Sequence, residues 1–203
     1  MHAKTPLALT FDEIDDLLHF TRANEVQDLE QTITELSQKY QCATKDVLEA
    51  AVDAETGNTV LHFCSANGLA ELLPVLSNKL GQTSTDNTNG ASQSSKLVNH
   101  GNREGNTPLH WAAYNGHLAV VKLLIAAGAD MWVKNAAGHL AMFEAERAEK
   151  DDVVQYLLEV GGKDVETGGS EGQASAEDVA DVQDGEAESS ASAQASAGAG
   201  SGP

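Results

Sequence analysis

Between residues 105 and 130 the chain reads GNTPLHWAAYNGHLAVVKLLIAAGAD, two short apolar-faced runs punctuated by glycines. Thr107 stands where a helix N-cap belongs, its hydroxyl placed to accept an orphan backbone N–H. Pro108 follows at the first helical position, where a missing N–H does no harm. Leu109, Ala112 and Ala113 make an apolar face, and Gly116 suits the left-handed turn that ends a helix. A second helix is predicted from about Leu118, with Val120, Val121, Leu123, Leu124 and Ile125 on its apolar side and Gly128 at its end. Each is two to three turns long, too short to persist alone, so both depend on neighbours.

The neighbours are copies of the same pattern. Gly57-Asn58-Thr59-Val60-Leu61-His62 repeats the first half, and Gly68 matches Gly116. Gly138-His139-Leu140-Ala141-Met142-Phe143 opens a further copy, continued by Val153-Val154-Gln155-Tyr156-Leu157-Leu158. A weaker copy runs from Leu17 to Asn24, with Leu29, Ile33 and Leu36 as its second helix. Gly105 to Gly138 is 33 residues, Gly57 to Gly105 is 48, and Asn24 to Gly68 is 44. The last two spacings are one period plus 15 and plus 11. A 33-residue helix-turn-helix period carrying TPLHWAAYNGH resembles the ankyrin-repeat family.

That resemblance implies an all-α solenoid of about four repeats with hairpin loops over residues 10–162, the third repeat (102–134) being the clearest. The first and last copies lose Thr-Pro-Leu-His and gain charge, as caps should. Pro74 falls inside the second repeat's outer helix and is tolerable only in its first turn. Residues 1–9 read as a flexible N-terminus. Residues 81–101, GQTSTDNTNGASQSSKLVNHG, read as a flexible loop inserted between repeats two and three, where extra length is thermodynamically cheap. Residues 163–203 are Gly, Ser, Ala, Asp and Glu without an apolar period and read as a disordered acidic tail.

Composition narrows the partner. Aromatic residues are only 4%, which suits helices packed closely through Leu, Val and Ala. The formal net charge of −19 divides into −11 for residues 1–162 and −8 for residues 163–203. Such a chain repels nucleic acid and anionic membrane and attracts basic proteins. Cys42 and Cys64 have no metal or redox spacing, the N-terminal residues lack a signal-peptide pattern, and no apolar run approaches a membrane span. Cytoplasmic and nuclear residence is the expectation.

Seven histidines raise the question of a metal or a catalyst. His62 and His110 each stand three residues after a Thr, where an imidazole can bond the helix start and the next turn. None pairs with a Cys at ligand spacing, no Ser–His–Asp set can be assembled, and no phosphate loop is present. Cys64 reads as a buried, inert thiol. The expectation is a binding protein with no catalytic residue, metal or cofactor.

Binding must then fall to the surface that the resemblance exposes, the hairpin tips and the inner helices. In repeat two this surface includes Asn67; in repeat three it includes Arg103, Asn106, Tyr114 and Asn115. In repeat four it includes Lys134, His139 and Arg147. Phe63, Trp111 and Glu144 share one inner-helix position, and Trp132 lies on the hairpin between repeats three and four, close to Trp111 and Tyr114 in this register. For Trp111, packing between repeats and partner contact are equally open; for Trp132, partner contact is favoured, since interface hot spots are enriched in Trp and Tyr.

Finally, NREGNTPLHWAAYNGHLAVVKLL, GADMWVKNAAGHLAMFEAE and EKDDVVQYLL are similar to the small fungal ankyrin-repeat chaperones of ribosomal protein S-three. The likeness is best over residues 102–158, and GHLAMFEAE in place of Thr-Pro-Leu-His is its most specific element. It implies a chaperone that holds a basic KH-domain ribosomal protein of the small subunit soluble, one to one, and escorts it to the nucleus. Trp111, Trp132 and Tyr114 would be apolar anchors, and Asn67, Asn115 and Glu144 polar contacts. Arg22, Arg103, Lys134 and Arg147 run against a purely acidic groove and place the acidity at the rim and tail. The other reading is a general ankyrin adaptor in signalling or transcription, with charge serving solubility.

Overall fold

The computed structural model describes residues 7–80 and 96–168. Within them nine helices follow one another: α1 Phe11–Ala23, α2 Val26–Lys39, α3 Thr44–Ala50, α4 Val60–Ala66, α5 Leu72–Lys79, α6 Pro108–Asn115, α7 Leu118–Ala126, α8 Ala141–Arg147 and α9 Asp151–Gly168. Helices α1, α4, α6 and α8 stack in order as an inner row, and α2, α5, α7 and α9 pack behind them as an outer row. Four helix pairs therefore share one continuous core of Leu, Val, Ile and Ala, including Leu17, Leu61, Leu109, Ala113, Val121 and Leu157.

Each inner helix ends on a residue in the left-handed conformation: Asn24, Gly68, Gly116 and Glu149. The next amide reaches back five residues, as from His117 to the Ala112 carbonyl and from Lys150 to the Ala145 carbonyl, both at 2.9 Å. The hairpins between repeats stack through a backbone bond, Arg103 N–H to Thr56 O at 2.9 Å and Ala136 N–H to Glu104 O at 2.8 Å. Side chains repeat the ladder: the Asn102 amide donates to Asn58 Oδ1 and the Asn135 amide to Asn106 Oδ1.

Several sequence expectations need correction. Thr107 does not cap α6 by accepting an N–H. Its own N–H donates to His110 Nδ1 at 3.2 Å, and its hydroxyl lies 2.9 Å from the same nitrogen. The 11 extra residues after the first repeat hold α3, whose Val47 and Leu48 are fully buried. Leu7 and Leu9 pack against the core rather than trailing freely. Residues 97–98 are not part of a solvated loop, for Leu97 and Val98 are buried. Helix α9 runs on to Gly168, six residues into the segment read as tail. The readings for residues 1–6, 81–95 and 169–203 lie outside the described residues.

Pro74 is the third residue of α5, within its first turn. Helix α5 starts four residues after the left-handed Gly68, whereas α2, α7 and α9 start two after theirs. The later start puts the missing N–H among those that no helix satisfies internally.

Candidate functional site

The inner row presents two ranks of side chains, one turn apart. His19, Phe63, Trp111 and Glu144 form one, and Arg22, Ala66, Tyr114 and Arg147 the other. Neighbouring repeats pair through these side chains: across the ranks the Arg22 guanidinium sits 4.3 Å from the Phe63 ring centroid, and within one rank that of Arg147 sits 5.6 Å from Tyr114. A cation over an aromatic face is attractive and holds both groups in place.

Between repeats three and four these side chains line an open cleft of about 310 Å³, bounded by Glu104, Asn106, His110, Trp111, Tyr114, Glu144 and Arg147. Tyr114 is exposed, while Trp111 is half-buried, with its Nε1 buried and unpartnered among the described residues. Trp111 thus packs between repeats and walls the cleft at once.

Glu144 is the buried charge of this site. One carboxylate oxygen accepts from His139 Nδ1 at 2.9 Å and from Asn135 at 3.1 Å. The other accepts from Arg147 Nη2 at 2.6 Å and Nε at 3.2 Å. Burial alone would raise its pKa, but the bonds from His139, Arg147 and Asn135 outweigh that and hold it below the usual carboxylate range. Glu144 is therefore no free contact. It fixes Arg147, and Arg147 fixes Tyr114.

His62 and His110 are structural couplers between repeats. Nδ1 accepts from the Thr N–H, so Nε2 carries the proton and donates to the next repeat's hairpin: His62 to Asn106 O at 2.8 Å, His110 to His139 O at 3.1 Å. Burial lowers the pKa of His62 to about 4 and lowers that of His110 as well, so both stay neutral at pH 7. Cys64 is buried too, and its thiol is pushed up to about 12 by desolvation. Among the described residues no group of three or more His, Cys, Asp or Glu is arranged to hold a metal, and no helix is long and apolar enough to cross a membrane.

The remaining candidates divide. Asn106 both lines the cleft and belongs to the hairpin ladder. Asn115 turns back onto the Trp111 carbonyl at 2.9 Å, and Asn67 leans towards the Arg22 carbonyl at 3.5 Å. Arg103 is spent on the preceding hairpin, donating to Ala54 O. Lys134 is exposed at the hairpin stem, bridged in backbone to Leu140. His139 stacks on Phe143 with ring centroids 4.3 Å apart. Trp132 is a correction: it is 53% exposed but does not line the cleft. Its ring lies on the outer row, where a Cβ at Gly161 of α9 would stand 3.4 Å from it. The contact of Arg22 with Phe63 and the place of Glu104 in the cleft wall are site features that the sequence did not reveal. Aligning the four inner helices by their left-handed ends brings out Arg22, Ala66, Tyr114 and Arg147 as one rank.

The family pattern described as "Ankyrin repeats (3 copies)" matches residues 37–168. The chain belongs to the ankyrin-repeat family. A curated ankyrin relative, "Ankyrin repeat-containing protein YAR1" of Saccharomyces cerevisiae, is 28% identical over 148 residues, covering 72% of this chain and 68% of the yeast protein. A human relative, "Notch-regulated ankyrin repeat-containing protein", is 39% identical over 61 residues, 30% of this chain and 54% of that one. Among solved ankyrin structures, the crystal structure of the yeast ribosomal protein Rps3 in complex with its chaperone Yar1 matches with a TM-score of 0.63 and 31% identity. The match covers 75% of this chain and 95% of the other.

Proposed function

We propose that this ankyrin stack is a dedicated chaperone of the small-subunit ribosomal protein S3. It holds that basic protein soluble in a one-to-one complex and escorts it from the cytoplasm to the nucleus. The observation that carries this reading is the likeness to the Rps3–Yar1 complex, which spans 95% of the matched chain at 31% identity. The physics agrees. A free ribosomal protein bares Lys and Arg surface meant for RNA, and a chain of net charge −19 attracts and screens it. Release follows when ribosomal RNA offers a denser array of negative charge. The grip is the inner row, with Trp111 and Tyr114 as apolar anchors and Arg147, braced by Glu144, as a fixed polar wall.

The test is titration calorimetry of the full chain against purified S3 and other basic small-subunit ribosomal proteins over a salt series. S3 alone binds tightly, at one to one, and binding weakens steeply with salt. Equal binding to all of them, or none to S3, leaves a general ankyrin adaptor in its place. Escort is read separately, by whether tagged chain and S3 enter the nucleus together.

A further inference from the structure

Repeat four ends the described stack without closing it. In repeat three, His110 and Val121 face the following repeat and are 2% and 0% exposed. Their counterparts 33 residues on, Phe143 and Val154, are 43% exposed and half-buried. Ile125 is half-buried, and its counterpart Leu158 is 57% exposed. The hairpin tells the same story. A Cβ on Gly105 would strike Ala136 N of the next hairpin at 2.8 Å, whereas a Cβ on Gly138 would meet nothing within 4 Å. Terminal repeats of a soluble stack normally turn a polar face outward. Here Phe, Val and Leu stay at the positions through which one repeat grips the next.

On this end Val154 and Leu158 lie beside Asp151, Gln155 and Glu159 on one shallow, open face of α9. Apolar side chains next to two carboxylates suit an apolar residue flanked by Lys or Arg. Phe143, exposed at this same end, also touches the network behind the inner cleft: it packs on His139, which shares the Glu144 carboxylate with Arg147. We propose that the open end of repeat four is a second docking face for the basic client, taking one of its apolar residues between two cationic ones. This rests on the chaperone reading and adds a site to it.

The test uses the full chain and S3. Leu158→Gln and Phe143→Gln change exposed residues and leave the stack folded, which circular dichroism checks. Affinities are measured beside wild type and Tyr114→Ala, and the chain alone is weighed by sedimentation. Loss of about tenfold in affinity for Leu158→Gln, adding to the loss from Tyr114→Ala, supports the proposal. Wild-type affinity in both Gln variants while Tyr114→Ala is weakened overturns it and leaves the chaperone reading standing. Failure of wild type to bind S3 removes both. A dimer of the chain alone that Leu158→Gln dissolves overturns it in favour of a second copy as occupant.

Discussion

Repeats three and four share one backbone and differ at the start of the inner helix. In repeat three Thr107 and His110 form a pair whose imidazole spans to the next hairpin. In repeat four Leu140 and Phe143 occupy the same positions, and no hairpin lies beyond them among the described residues. The histidine is thus no general helix signal. In repeat three it is a polar coupler to the next hairpin's carbonyl, whereas in repeat four the position is apolar and half open, and in repeat one it is the buried Leu18.

The sharpest way to break this comparison is at the hairpin glycines. Both Gly105 and Gly138 are left-handed, with φ of 73° and 81°. Gly105→Ala must pay the left-handed strain and also push the Ala136 backbone away, so a loss of about 3 kcal/mol is expected. Gly138→Ala has only the strain, about 1 kcal/mol. Urea denaturation of the two variants checks the gap; equal losses would mean the hairpins do not stack as described.

The couplers should also set acid stability. His62 is 1% exposed and has its folded pKa depressed from 6.5 to about 4. Its contribution is complete above the unfolded pKa of 6.5 and is lost as pH falls from there towards 4, because the unfolded chain takes up the proton first. The expected loss over that window is about 3 kcal/mol. A denaturation series from pH 7 to pH 4 measures it, and His62→Gln should flatten the slope while keeping a donor and an acceptor.

A smaller effect tests the asymmetry directly. His110→Phe makes repeat three resemble repeat four and strands the Thr107 N–H and the His139 carbonyl, for a loss of about 2 kcal/mol. Phe143→His alters a position that is already 43% exposed, so a change below about 1 kcal/mol is expected in the same melts.

The fold was legible because its period is long, regular and punctuated: Gly-Asn-Thr at the hairpin, a left-handed residue 11 positions on, then an apolar run. Helix α3 was not, since seven residues with two buried side chains, used once, have neither a period nor a copy to betray them. Glu144 was legible as a position but not as a role. Its partners Asn135, His139 and Arg147 lie three to nine residues away, and only the folded hairpin turns them onto one carboxylate. The row that Trp132 joins was not legible, because a loop residue can lean to either. The clue was Gly161 within the apolar run of α9, a gap the size of a ring edge.

That contrast between rows yields the smallest prediction, and the one closest to function. Tyr114 stands exposed in the inner cleft under Arg147, whereas Trp132 lies on the outer row over Gly161. By side chain alone Trp132 is the better hot spot, being larger and more exposed. By position it has no part in the cleft. Tyr114→Ala should therefore weaken the client about tenfold at nearly unchanged stability. Trp132→Ala should leave affinity within about twofold and remove about 1 kcal/mol of stability, through lost packing on α9. Calorimetric titration with S3 and thermal melts read both quantities for both variants. A Trp132→Ala chain that melts like wild type yet loses its client would put the grip on the outer row, and the inner helices would then only carry it.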